Sequence, residues 1–368
     1  MTALLAMHMA NELLDLPVAA GTILLATGAV ALAARRARKT LNPEKLPLMG
    51  VLGAFVFAAQ MVNFTLPGMP GTSGHLGGGV LLAIVLGPAA AIVTMTSILI
   101  VQCLIFQDGG LLALGCNIIN LGVVPCVLGG YVYRLLAGAG GRASAWRRYL
   151  GAWAAALVGV TAGAMLVPIQ TAIAGRMTIP VTHFLAVMVG VHLVIGAVEG
   201  AITFAVIAYL QRVRPAALNL GPGPTGRDRL SRKAVALSLV ITAMLLGGVV
   251  SWFASPHPDG LEWSYREHRY GQAPRAVKPP VKAAADADEF QAKHSLMTDY
   301  TRRSAAPGKV SPEGGDEDAA QERWPNVDGW GSLAGVLGTA LTLLIVYGAA
   351  VLLRRRGAAA SARGCGPA

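Results

Sequence analysis

Charge is what this sequence has least of. Only 13% of its 368 residues are Asp, Glu, Lys or Arg, 54% are hydrophobic and the mean hydropathy is +0.56, which excludes an ordinary soluble domain. A lipid bilayer is the solvent such a chain fits. Acid is scarcer still in the apolar body: thirteen of the nineteen carboxylates fall between residues 255 and 330, and only Glu199 lies deep inside an apolar run. Four cysteines are present, Cys103, Cys116 and Cys126 within apolar runs and Cys365 in the C-terminal tail, so neither a disulfide framework nor a CxxC metal site is indicated. No Walker A sequence, His-Glu-xx-His motif or nucleophile elbow occurs, which excludes an ATPase carried on this chain. A basic leader is missing too. Glu12 and Asp15 precede the first apolar run at Pro17, which speaks against a cleaved signal peptide.

What is there in quantity is long apolar runs. A bilayer span needs about 20 residues, and uncharged stretches approaching that length run over 17–34, 46–74, 76–107, 109–133, 149–175, 234–254 and 330–353. Residues 177–211 form another, interrupted only by His183, His192 and Glu199. The net charge of +11 comes in short blocks between these runs, the pattern of cytoplasmic loops rather than of a nucleic-acid-binding face. Those blocks hold Arg35 to Lys45, then Arg134 to Arg148, then residues 212–233, and finally Arg354 to Arg356. With both Lys45 and Arg134 inside, the stretch 76–107 must begin and end outside, as two short helices or a re-entrant hairpin turning at Gly87-Pro88. The expectation is an all-α, polytopic plasma-membrane protein, seven helices to about residue 211 and two more after it. Its N-terminus faces outside and its C-terminus the cytoplasm. Residues 255–330, rich in Pro, Ala and charge and including Asp316-Glu317-Asp318, read as a largely disordered or loosely structured outside loop.

The outward-facing features are the segment around Met7-His8-Met9, the turn Gly71 to Gly79 with His75, and the turn Gln107-Asp108-Gly109-Gly110. Two histidines thus reach one face from different segments, and imidazole is a common ligand for Ni, Cu, Zn and Co-like ions. In a chain beginning at Met7, the free amine, the His8 amide nitrogen and the His8 ring would close adjacent five- and six-membered chelate rings, with His75 as a fourth nitrogen. Four nitrogens in a plane suit Ni(II) or Cu(II) better than tetrahedral Zn or oxygen-loving Mg. Taken alone, two loop histidines point first to interfacial packing or hydrogen bonding. His192 and Glu199, seven residues apart on one helix face, read equally as a polar relay and as a structural pair. Asn117 and Asn120 read as interhelical glue.

Longer strings carry a resemblance. Met7-His8-Met9-Ala10, Gly74-His75-Leu76-Gly77-Gly78-Gly79, Phe106 to Asn117 with its Asp108-Gly109-Gly110-Leu111 core, and His192 to Gly200 together resemble the cobalt/nickel capture subunit (CbiM/NikM type) of energy-coupling factor transporters. The likeness covers residues 7–211. Pro258-Asp259-Gly260-Leu261-Glu262, between two helices in 234–353, resembles the PDGLE-type accessory subunit, so the chain looks like a fusion of the two, joined by a basic linker, 212–233, and ending in a basic tail, 354–368. The resemblance implies metal ligands at Met7, His8 and His75. It also implies a partner transmembrane coupling subunit and a pair of cytoplasmic ATPases, and Co2+ or Ni2+ as cargo without a permanent cofactor. Residues 1–6 would precede the chelating amine and read as a misassigned start. Where relatives continue His-Ile-Pro-Asp-Gly, this chain has His8-Met9-Ala10-Asn11-Glu12, which leaves the choice of metal open. The alternative is a stand-alone metal channel or secondary transporter, which His192 and Glu199 would permit.

Overall fold

The computed structural model describes residues 8–42, 45–138, 144–213, 215–218, 230–265, 277–300 and 325–364. Met7 and the six residues before it, residues 219–229 of the basic linker, and the acidic run Asp316-Glu317-Asp318 lie outside the described residues. The architecture is helical, as the apolar runs dictate in a solvent that cannot satisfy open backbone. Helix α1 spans Leu16–Thr40, with Asp15 capping the Val18 amide and Pro17 in its first turn. Helix α2 follows at Leu46–Gln60, and a two-residue hairpin (β1, Phe64–Thr65; β2, Ser73–Gly74) leads into the turn that carries His75.

Helices α3 (Gly79–Leu86) and α4 (Pro88–Ile105) are separated by Gly87, whose φ of +91° only glycine adopts freely, and by a proline that opens α4. The break expected at Gly87-Pro88 is therefore present. Eight residues rise only about 12 Å, so α3 is too short to span a bilayer by itself. Its C-terminal end lies beside the start of α2, where Lys45 Nζ donates to the Val85 carbonyl at 2.8 Å. Helix α5 (Leu114–Ala137) is π-helical from Ile118 to Gly129, then α6 (Ala145–Ile173) and α7 (Val181–Val213) pack along one another. The last two apolar helices are α8 (Arg232–Gly248) and the long C-terminal α11 (Gly329–Gly364). Among the described residues six helices are long and apolar enough to cross a membrane, α2 and α8 being shorter apolar ones, so the chain is a multi-pass, all-α membrane protein.

Part of the polar loop departs from its expected character. Residues 255–265 and 277–300 are ordered among the described residues, with short helices α9 (Gly260–Tyr265) and α10 (Lys282–His294). Their composition is polar because they pair with polar backbone. Ser73 N donates to Pro258 O at 2.8 Å, Leu296 N and Met297 N reach Ile105 O, and Asp299 N reaches Phe106 O. These described parts form a cap seated on the helix ends. They are held by those hydrogen bonds together with the buried Leu261, Val277, Met297 and Tyr300, which are too widely spaced to make an apolar stripe.

Candidate metal site

Three short segments meet under this cap. The N-terminal stretch from His8 to Leu14 is inserted among the helices, with His8, Met9, Asn11, Leu13 and Leu14 all buried. Its backbone is held by Asn117 of α5, which accepts from Met9 N at 3.0 Å and donates to Met9 O at 3.2 Å, while Gly110 N donates to the same carbonyl. Asn117 thus binds the N-terminal segment rather than another helix. Asn120 does act between helices, exchanging two hydrogen bonds with Gln170 of α6. The Asp108-Gly109-Gly110 turn has a steric reason for its glycines: a Cβ on Gly110 would come within 2.3 Å of Asn11 Oδ1, and Gly109, at φ +87°, faces the His8 Cβ.

From the cap, Gln291 of α10 ties the arrangement together. Its amide nitrogen donates to the carbonyls of Cys103 and Gly109, and its oxygen accepts from Leu111 N and Asn11 Nδ2. Asn11 also donates to Asp288 at 2.5 Å and accepts from Leu112 N at 2.8 Å.

His8 points its Nδ1 at Asp108 Oδ1, 2.7 Å away. Burial pushes the Asp108 carboxyl up, but the charge and hydrogen bond of His8, with the Tyr300 hydroxyl and His75, outweigh it and hold the group below its usual range. An ionised carboxylate only accepts, so in the neutral ring Nδ1 carries the proton and Nε2 the lone pair. That Nε2 is buried and has no hydrogen-bond partner. His8 and His75 line one cavity, with ring centroids 5.4 Å apart. Two imidazoles binding one ion at 2.0–2.1 Å have centroids about 6.4 Å apart at most, so this spacing admits a single ion between them.

His75 sits in a turn fixed from α7 and α2. Glu199 accepts from Gly77 N at 2.7 Å and Gly78 N at 3.1 Å, and Gln60 donates to Gly77 O. Glu199 and His192 therefore do not form the relay their spacing suggested. His192 turns its Nδ1 to the Met188 carbonyl at 2.8 Å, although both side chains line the same cavity. Sequence reasoning missed Gln291 and Tyr300, which sit in the polar loop where no motif marks them, and gave Asp108, though within a recognised string, no part in holding His8. Among the described residues, no group of three or more His, Cys, Asp or Glu side chains is close enough to hold an ion. Any ion between His8 and His75 needs its remaining donors from backbone, terminal amine or water.

The family model described as the cobalt uptake substrate-specific transmembrane region matches residues 8–217. The chain belongs to that family. A PDGLE domain matches residues 233–355, so two modules are joined in this cobalt-uptake family member. It is similar to a putative metal transport protein of Haloquadratum walsbyi, 36% identical over 57% of this chain and 92% of the relative. A putative fused nickel transport protein NikMN of Archaeoglobus fulgidus is 33% identical over 65% of this chain and 76% of its own length. The cobalt transport protein CbiM of Geobacter sulfurreducens is 29% identical, over 66% and 72% respectively. A crystal structure of a transition metal transporter aligns with 56% of this chain and 93% of its own, with 30% identity and a TM-score of 0.49. By homology this family member is a membrane component of cobalt or nickel transport, and its relatives are named as transport proteins rather than enzymes.

Proposed function

We propose that this protein is the substrate-capture component of an energy-coupling-factor-type importer, taking Co2+ or Ni2+ at its extracytoplasmic end. His8 and His75 supply ring nitrogens, and in a chain beginning at Met7 the terminal amine and the His8 amide nitrogen complete the donor set. The cargo is handed inward by a separate transmembrane coupling subunit powered by a pair of cytoplasmic ATPases, since no nucleotide-binding motif occurs in this sequence. The charge pattern supports an outside N-terminus and a cytoplasmic C-terminus.

The observation that carries this reading is the buried His8 Nε2 without a partner, on a ring that lines the same cavity as His75. A buried ring nitrogen left unsatisfied is costly, and a cation taken at that nitrogen removes the cost, as a water also would. The chelate with the amide nitrogen requires Nδ1, because only Nδ1 closes a six-membered ring. In the observed arrangement Nδ1 faces Asp108; for Nδ1 to join the chelate the ring must make a half-turn about the Cβ–Cγ bond, which sets Cδ2 where Nδ1 stood. Without that turn, Asp108 accepts from Nδ1 and leaves Nε2 for a metal.

The test is calorimetric titration of the purified full chain with Ni(II) and Co(II), alongside the intact mass of the same preparation. One ion per chain is expected, with His8→Ala and His75→Ala each losing more affinity than the 10–100-fold typical of outer-shell changes. Unchanged affinity in either variant, or tight binding by a chain whose mass retains Met1, would sink the proposed donor set.

A further inference from the structure

Tyr300 stands 192 positions from Asp108 in sequence, yet its hydroxyl donates to Asp108 Oδ2 at 2.6 Å. The ring is buried, stacked on Phe106 at 5.0 Å and edge-on to Phe57 at 6.4 Å. Asp299 and Tyr300 both have left-handed backbones, φ +49° and +58°, which non-glycine residues adopt only when surroundings hold them there. The holding contacts are the hydrogen bonds from Leu296, Met297 and Asp299 to the last carbonyls around the end of α4. They deliver one phenol, from the far end of the chain, to the carboxylate that orients His8.

We infer that Tyr300 is a positioning residue for metal capture: through Asp108 it fixes the His8 ring, so the fused C-terminal module contributes directly to the affinity of the site. This rests on the capture reading above. Asp108 has two oxygens, one accepting the His8 ring N–H and the other the Tyr300 O–H. Both are needed to fix its plane. A ligating imidazole whose second nitrogen donates to a fixed carboxylate is locked in orientation and made more basic, which strengthens its bond to a metal. Removing the hydroxyl leaves a buried carboxylate oxygen without its donor and frees Asp108 to turn, loosening His8 without touching the ligands.

The competing account is that the hydroxyl only satisfies its own burial. The two differ in a double-mutant cycle on the full chain, read by Ni(II) affinity and by the Ni(II) d–d absorption. Tyr300→Phe is expected to weaken Ni(II) about 10-fold and shift the absorption band, with the melting temperature near that of the parent. In an Asp108→Asn background the same change should alter affinity by less than about twofold, because its route to His8 is gone. If the parent binds Ni(II) and Tyr300→Phe binds equally well, or weakens binding by the same factor in both backgrounds, the positioning role is overturned while capture stands. If the parent binds no Ni(II), the capture reading falls and this inference with it.

Discussion

Single residues decide the chemistry of the cavity, and the first of them is His8, whose ring has one nitrogen spoken for and the other bare. Its neighbourhood is unusually acidic for such a buried place. Asp299 is pushed up to about 8, by burial first and then by the charges of Asp108, Glu262 and Asp259. An unfolded Asp titrates near 4, so between about pH 4 and 8 the folded chain binds a proton that the unfolded chain has released. The contribution is therefore full below about pH 4 and is lost as pH rises towards 8. Asp299→Asn, which stays neutral, should raise the melting temperature by a few degrees at pH 8 and by less at pH 5. Equal shifts at both values, in thermal melts of the purified protein, would mean that Asp299 does not titrate in this window. Asp259, raised by burial and by Glu262, adds to the same trend.

Among the elements, the turn between β2 and α3 depends on a helix remote in sequence. Glu199 of α7 gives one oxygen to each of two successive amides, Gly77 and Gly78, and Gly78 itself sits at φ +78° with Val56 packed where a Cβ would be. A Cβ on Gly74 would meet Ile195 at 2.6 Å, one helical turn from Glu199, so the whole turn lies flat on α7. Glu199→Gln sets an NH2 donor against one of those N–H donors, a loss of about 1–3 kcal/mol for a buried unsatisfied group. The expected result is faster hydrogen exchange at Gly77 and Gly78 and weaker Ni(II) binding, with α7 itself still protected. Protection unchanged at those two amides would show that the turn is held by packing alone.

At the scale of the whole molecule, the two family modules form one body. The C-terminal pair clasps α2: Gly338 of α11 faces Phe57, where a Cβ would lie 2.1 Å from the ring, and Gly247 of α8 meets Gly335 backbone to backbone. Close approach at small residues is how helices associate in lipid, where apolar burial alone provides no drive. With the cap's hydrogen bonds to the helix ends added, the covalent linker is expected to be dispensable. Residues 1–218 and 230–368, produced as separate chains in one membrane, should copurify at equal stoichiometry. Gly338→Leu, which drives a side chain into Phe57 at an overpacking cost of about 1–3 kcal/mol, should abolish or strongly reduce that recovery. Full recovery of Gly338→Leu halves in the pull-down would place the interface elsewhere.

Much of this was legible without coordinates. Hydropathy and charge blocks are local properties, so a helical membrane body and the break at Gly87-Pro88 follow from the chain read in order. His8 and His75 could be named because their flanking strings are distinctive. Their meeting in one cavity was a matter of tertiary structure, as was the choice of partners: Glu199 takes the amides of the His75 turn instead of His192, and Asn117 takes Met9 instead of a neighbouring helix. The polar loop was misjudged for the same reason. Its composition reports how little apolar surface it buries. Its described parts are ordered all the same, because Gln291 and Tyr300 find donors and acceptors that lie between 180 and 280 residues away along the chain, a distance over which no pattern of spacing can speak.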